Sequence, residues 1–303
     1  MSRTVRIALL AGALTLAGVL PALAQVDVNL GSLTPENVKG YLEPLPKALS
    51  VTLNSAAFQT ANVPMAGLNF SIGIHVMAMA FKDEDRTYSP TDPPGFTSTA
   101  PVAAPTVVGD EQAVTQPGQG GLTQVYPGGF DLNQFEIAVP QVTVGSLFGT
   151  KLMGRWIEVN TGDSELGKAK LWGVGAQHNL SHYMAESPVD VSIGAMYQAF
   201  QMGDDKLIDS KTWHAEVTAS RNVLPWLQPY LAAGYDSFKM EVNYDQDLSG
   251  GGTQNTNVKF DDENSAHFTA GLLLGFPTIK LHAQVDLASR IGAAAGVRFG
   301  FGS

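Results

Sequence analysis

From Thr278 to Arg290, apolar Ile279, Leu281, Ala283, Val285 and Leu287 alternate with Lys280, His282, Gln284, Asp286 and Arg290. A period of two puts one set on each face of a strand, one greasy and one polar. The same alternation recurs in Trp213, Ala215, Val217 and Ala219 against His214, Glu216, Thr218 and Ser220, and again from Val189 to Gln198. The pattern predicts strands over 68–81, 135–145, 150–160, 168–178, 188–201, 210–222, 227–244, 256–276, 278–290 and 291–301. A soluble sandwich also alternates but needs only about 100 residues. In a membrane barrel the apolar face meets lipid, the polar face lines the lumen, and closure pairs every backbone group. The connections fit that reading, because short turns gather at one end and long loops at the other. The expected fold is all-β: a closed antiparallel transmembrane β-barrel of about ten strands, within a range of eight to twelve.

The first residues read differently. Arg3 and Arg6 precede an apolar stretch from Ile7 to Leu20, and Ala22-Leu23-Ala24 forms a small-x-small cleavage site. That is a secretory signal peptide over 1–24, its apolar part too short to span a bilayer. From 25 to 64 a helical segment is expected: Thr34 suits a cap, Pro35 the first turn, and Val38, Tyr41, Leu42 and Leu45 recur at helical spacing. Pro44 and Pro46 interrupt it, and a second helical run follows from Ala48 to Phe58. The segment is assigned to the periplasmic mouth, where it plugs the lumen, lies on the inner leaflet or covers a strand edge. The barrel then occupies 65–303, with a Pro- and Gly-rich extracellular loop over 82–134 that is expected to bury no core of its own and to act as a lid or fold into the lumen.

Composition narrows the function. The chain has 303 residues, 15% of them charged, with 28 acidic against 18 basic side chains and no Cys. An acidic chain without basic stripes argues against a nucleic-acid partner, and the absence of Cys excludes disulfides and thiolate chemistry. Aromatic residues including Trp156, Trp172, Tyr183, Trp213, Trp226, Tyr230, Tyr235, Phe268 and Phe276 fall near strand ends, as an interfacial girdle requires. Glycines such as Gly73, Gly194, Gly271, Gly292 and Gly296 fall mostly on the polar face, where small residues admit a close backbone or help a narrow barrel to close. Acidic clusters at Asp83-Glu84-Asp85, Asp204-Asp205, Asp245 with Asp247, and Asp261-Asp262-Glu263 map to the long-loop end as solvated loops.

No metalloprotease, nucleophile-elbow, P-loop, dinucleotide or EF-hand spacing occurs. The expectation is a protein without catalytic residues, metal or cofactor. Its lumen-lining candidates are His75, Met77, Met79, His214, Glu216, Lys280, His282, Gln284, Asp286 and Arg298. Their charges are expected to balance as an ion-paired interior, with the methionines as adaptable apolar surface. His214→Ala is expected to leave the protein assembled, with a modest loss of stability. A charge at lipid-facing Val285 is expected to be costly, and one at lumenal Gln284 far cheaper. His214 with Glu216, and Ser71 four residues before His75, are the pairs that a lipid-modifying enzyme would need, with His214 placed near the extracellular rim.

Leu42-Glu43-Pro44-Leu45 running to Leu53-Asn54-Ser55, Pro140-Gln141, Val144-Gly145, Gly149-Thr150, and Gly167-Lys168 leading to Leu171-Trp172-Gly173-Val174-Gly175 and His178 resemble a shared pattern. It is that of a family of exported Gram-negative proteins of unknown function, expected to be outer-membrane barrels. The last strand, ending at Phe301, resembles their C-terminal insertion signal, with Gly302-Ser303 beyond it. More loosely, an N-terminal segment entering a barrel is similar to long-chain fatty-acid transporter barrels. The resemblance implies an outer-membrane location, with membrane lipids, lipopolysaccharide and the barrel assembly machinery as partners. It brings no activity. The expected function is passive passage or binding of a small hydrophobic or amphipathic molecule, the alternatives being a surface-interaction protein without transport and, third, a lipid-modifying enzyme.

Overall fold

The computed structural model describes residues 29–160, 168–184, 187–203, 206–248 and 251–301. The expected signal peptide over 1–24 and the Asp204-Asp205 pair lie outside them. Ten strands build the barrel: β1 (Ala66–Ala80), β2 (Gln134–Leu147), β3 (Thr150–Asn160), β4 (Lys168–Asn179), β5 (Asp190–Met202), β6 (Ile208–Ser220), β7 (Leu227–Asp247), β8 (Glu263–Gly275), β9 (Ile279–Leu287) and β10 (Ile291–Phe301). Neighbours in the chain pair antiparallel. The ring closes where β10 pairs with β1, from Phe70 opposite Phe301 to Met79 opposite Gly292. Closure leaves no edge strand, so the backbone is satisfied without water.

The two faces divide as the alternation requires. On β9, Leu281, Val285 and Leu287 are exposed while His282, Gln284 and Asp286 are buried. Leu152, Trp156, Val174, Ile193, Trp213, Leu231, Phe268 and Leu272 extend the outward apolar belt around the wall. An apolar belt of this extent fits lipid and would not persist in water. No described helix is long and apolar enough to cross a membrane. Tyr230 departs from the expected girdle: it faces inward, buried against Gly271, and its hydroxyl donates to Gln284 Oε1 at 2.9 Å.

The expected strand over 256–276 is two strands. Thr253–Lys259 folds back on the projecting end of β7 as a hairpin, and Phe260-Asp261-Asp262 separates it from β8. The acidic side chains there are easier to solvate beyond the barrel rim than inside it. Arg290, expected on the inward face of its strand, instead sits in the β9–β10 turn. There it holds Glu84 at 2.8 Å and Asp85 at 2.7 Å, so part of the first acidic cluster is paired.

Among the described residues, a helical turn at 29–31 and two short helices, α1 (Pro35–Leu42) and α2 (Pro44–Asn54), precede the barrel. The Thr34 hydroxyl accepts from the Asn37 N–H, and Pro35 starts the first turn. The segment does plug the lumen, but it enters from the long-loop end and not from the short-turn mouth to which it was assigned. The helix α1 packs at the long-loop end, where Tyr244 donates to the Leu33 carbonyl at 3.4 Å and the Val107 N–H to the Tyr41 carbonyl at 2.8 Å. From there α2 and residues 55–65 pass down through the lumen, and the Met65 carbonyl meets the Gly149 N–H at the β2–β3 turn. Hydrophobic periodicity locates a helix but carries no record of which mouth it occupies, and the long loops offered α1 the apolar cover it lacked.

That cover comes from the 82–134 loop, which lies over α1 as a lid. The Tyr41 hydroxyl donates to the Gly128 carbonyl at 2.9 Å. Burial pushes this hydroxyl up to about 12, and the bond from Asn29 brings it part of the way back. The loop builds no core of its own but shares one with the plug: Ala104, Val107, Val108 and Tyr126 join Leu33, Val38, Tyr41, Leu42 and Leu45 in one core. The inner walls of the loop-side half, with Ile137, Phe200, Phe238, Met240 and Val242, complete it. That half of the lumen is therefore sealed by close-packed apolar side chains.

Candidate functional site within the lumen

Below the apolar seal the interior turns polar, because the inward positions of the strands become Arg, Gln, His, Asp and Thr. Arg155 on β3 is the anchor of the middle layer. It donates to the Leu53 carbonyl at 3.1 Å, the Ser55 carbonyl at 3.0 Å, the Ala56 carbonyl, Gln141 Oε1 at 2.9 Å and Gln198 Oε1 at 3.2 Å. Its planar fork thus closes the last carbonyls of α2, which a helix end leaves open. Gln198 donates to the same Leu53 carbonyl, and Thr212 to Asn54 Oδ1 at 2.8 Å. Small wall residues let the plug approach: a Cβ on Gly194 would lie 2.6 Å from the Phe58 ring, and one on Gly292 2.7 Å from Val51. Met196 packs with Phe58, Met79 with Val51, and Met77 joins the apolar core.

Opposite Arg155 runs a line of alternating carboxylates and imidazoles. His214 donates to Glu216 Oε2 at 3.0 Å and to Asp236 Oδ1 at 2.6 Å. His267 donates to Asp236 Oδ2 at 2.6 Å and to Asp286 Oδ1 at 3.1 Å. Asp286 also accepts from Thr269 at 2.7 Å, from Gln284 at 2.7 Å, and from the Ser55 hydroxyl of the plug. The line thereby ties β6, β7, β8 and β9 to one another and to the N-terminal segment. His214, Asp236 and His267 offer metal-ligand atoms within 4.8 Å of one another, and these atoms already meet in hydrogen bonds. Ser55 faces a carboxylate and not an imidazole, so it lacks the serine–histidine pairing of the usual activated nucleophile.

A third cluster lies toward the short-turn end. His75 Nδ1 and His282 Nε2 are 2.7 Å apart, one ring donating and the other accepting. Beyond them Lys151, Lys280 and Arg298 line a cavity of about 70 Å³ together with Thr60, Ser71 and Thr143. A wider hollow of about 390 Å³ adjoins it at the mouth, sharing Thr60 and Lys280 and bordered by Trp226, Leu273 and Phe276.

All ten lumen candidates are on the inward face; Lys280 is half-buried and the other nine are buried. His214 and Glu216 come together. Ser71 and His75 do not: His75 pairs with His282, and Ser71 opens on the cation-lined cavity. His214 is mid-strand on β6, not at the rim, because β6 begins at Ile208 and the turn after it is reached only at Arg221. The expected ion-paired interior holds for His214, Glu216 and Asp286 but not for His75 and His282, which bond to each other, nor for Lys280 and Arg298, which have no carboxylate within 4.0 Å among the described residues. Arg155, Asp236 and His267 were missed. Period two alone carries the signal, since Asp236 shares its parity with the inward Ala232 and Gly234, and His267 with Thr269.

A closed antiparallel barrel with an outward apolar belt, plugged by its own N-terminal segment, is an outer-membrane β-barrel protein. The chain belongs to a family of unknown function (DUF6588), whose model matches residues 1–301. No curated protein matches it. Solved structures similar to it include the outer membrane protease OmpT from Escherichia coli, at 10% identity over 79% of this chain and 98% of that one, with a TM-score of 0.37. The attachment invasion locus protein Ail of Yersinia pestis is 10% identical over 78% of this chain and 100% of that one, with a TM-score of 0.30. The transport unit of the autotransporter AIDA-I from Escherichia coli is 12% identical over 89% and 100%, with a TM-score of 0.35. Scores below 0.5 carry no argument, and the barrel reading rests on the closed pairing itself. None of the three is a fatty-acid transporter, so that looser likeness gains nothing from them.

Proposed function

We propose that the protein is a plugged outer-membrane barrel that binds a small amphipathic molecule at its short-turn end and does not conduct passively. One observation carries this reading. The loop-side half of the lumen is filled by an apolar core that includes the N-terminal helices, while hollow space persists at the other mouth between a polar cavity and an aromatic rim. Of the two modes expected from the sequence, binding is thus favoured over passage, which requires the N-terminal segment to leave. Catalysis stays out of the reading because Ser71 and His75 are not in contact and Ser55 meets a carboxylate with no imidazole beside it.

The test compares the full mature chain with a form lacking residues 29–64 in planar bilayers, alongside quenching of Trp226 fluorescence by a brominated amphiphile, with Trp226→Phe as the control. The full chain should carry no steady current and should show saturable quenching; an open-channel current from it would overturn the reading. A surface-interaction role is the second reading. It is favoured by the hairpin Val114–Pro117 and Thr123–Tyr126 in the lid, which presents Leu122 and Val125 to solvent. Absence of both current and quenching would leave that role standing.

A further inference from the structure

We infer that the short-turn cavity binds a phosphate group on Lys151, Lys280 and Arg298. The inference rests on the reading of this mouth as a ligand chamber and names the chemistry that it recognises. Lys280 and Arg298 are register partners on β9 and β10, directly across from one another. Like charges placed so destabilise a sheet, and nothing in strand pairing requires them. Lys151 joins them from β3 through the same cavity. Lys151 and Arg298 are 9% and 7% exposed, so water alone does not solvate them as it would at a surface.

No neighbouring acid compensates. None of the three makes a salt bridge among the described residues, and Arg298 Nε is buried without a partner. The nearest carboxylates along the lumen are taken: Glu216 by His214 and Thr218, Asp286 by His267, Thr269, Gln284 and Ser55. The cavity also offers the neutral hydroxyl donors Thr60, Ser71 and Thr143. At about 70 Å³ it exceeds the roughly 10–15 Å³ that one water needs, so a group of several heavy atoms fits. Three cations and a ring of hydroxyls suit a phosphate, which carries up to two charges and accepts on several oxygens, better than a single carboxylate. Gly73 keeps the site open, because a Cβ there would lie 2.6 Å from Arg298 Cγ.

The probes are inorganic phosphate, dodecyl phosphate, dodecanoate and an uncharged dodecyl ether, titrated into the full mature chain in maltoside micelles. Thermal unfolding, and recovery of Trp226 fluorescence as each probe displaces the brominated amphiphile, are read for the native protein, Lys151→Met and Lys280→Met. Without ligand, each variant should unfold at the same or a higher temperature, since a repelling charge has gone. Dodecyl phosphate should raise the native midpoint in a saturable way, as any ligand of the folded state does, and should bind at least tenfold more weakly to either variant. Equal binding of inorganic phosphate would identify the source as the free ion, and binding of dodecyl phosphate alone a lipid-like headgroup; both support the site. Dodecanoate binding as well as dodecyl phosphate would overturn the phosphate assignment. Variants that unfold earlier, with no response to any anion, would make the cations structural and overturn it too. Binding of the uncharged ether equally to all three proteins would sink the anion site while leaving the chamber intact, whereas no binding of any probe would sink both.

Discussion

Arg155 Nη1 donates to the Leu53 carbonyl across 102 residues of sequence, joining the third strand of the wall to the end of the plug helix. Four further acceptors surround the same guanidinium, two of them carbonyls of residues 55 and 56. Arg155→Lys keeps the charge but cannot reproduce the fork, so several buried acceptors lose their donor. The expected loss is about 3–5 kcal/mol of stability in urea unfolding from lipid vesicles, because a buried partner is removed and others are orphaned. The residues 29–64 should also become accessible to protease while the barrel stays folded.

Gly194 and Phe58 give a steric test of the same contact. A side chain at Gly194 meets the ring at 2.6 Å, so Gly194→Val must displace Phe58 or the wall. Overpacking of this kind costs about 1–3 kcal/mol. Outward-facing Gly154, whose Cβ would find no atom nearer than 3.9 Å, is the control, and Gly154→Ala should be close to neutral. Differential scanning of the two variants in micelles measures the contrast; equal midpoints would mean that the plug does not lie on this wall.

Strand number and facing were legible because lipid and lumen impose opposite demands on alternate residues, and every strand from Ala66 to Phe301 carries that record. Elements outside the lipid carry no such constraint. Residues 256–259 therefore read as the start of one long strand over 256–276, although the Asn- and Thr-rich tract Thr253–Lys259 forms a separate hairpin with Glu241–Asp247. Tyr230 was assigned to the girdle by residue type, when its parity with Ala232 and Gly234 already placed it inside. The members of the lumenal network were mostly visible one by one. Which of them meet depends on register between strands, and that is how Asp236 came to lie between His214 and His267.

Val285 and Gln284 show where facing alone misleads. Val285→Arg, at mid-strand on the lipid side, should cost about 2–4 kcal/mol, whereas Leu122→Arg in the exposed lid should cost little. The sequence reading expects Gln284→Arg to be cheap as well, on the ground that the lumen is polar. The structure overturns this, since Gln284 accepts from Tyr230 and donates to Asp286 in a fully buried setting. Gln284→Arg should therefore lose about as much as Val285→Arg, by overpacking and by breaking two hydrogen bonds. Urea midpoints of the three variants in vesicles check the order.

His214 is a sharper case, because the sequence reading expects only a modest loss from His214→Ala. Both ring nitrogens face carboxylates, and the ring stacks near Phe58 with centroids 6.1 Å apart. A carboxylate accepts and cannot donate, so Glu216 and Asp236 each lose a donor when the ring is removed. Glu216 then keeps only Thr218 and Asp236 only His267, and weakening two buried carboxylates at once costs about 3–5 kcal/mol. His214→Phe separates pairing from packing: it restores ring volume beside Phe58 but no donor, and should recover little of the loss. The double variant His214→Ala/Asp236→Ala should lose less than the sum of its single variants, because each single change orphans a group that the double change removes. Additive losses in that cycle, or full recovery by Phe, would mean that His214 only fills space and that the line from Glu216 to Asp286 is not a coupled unit.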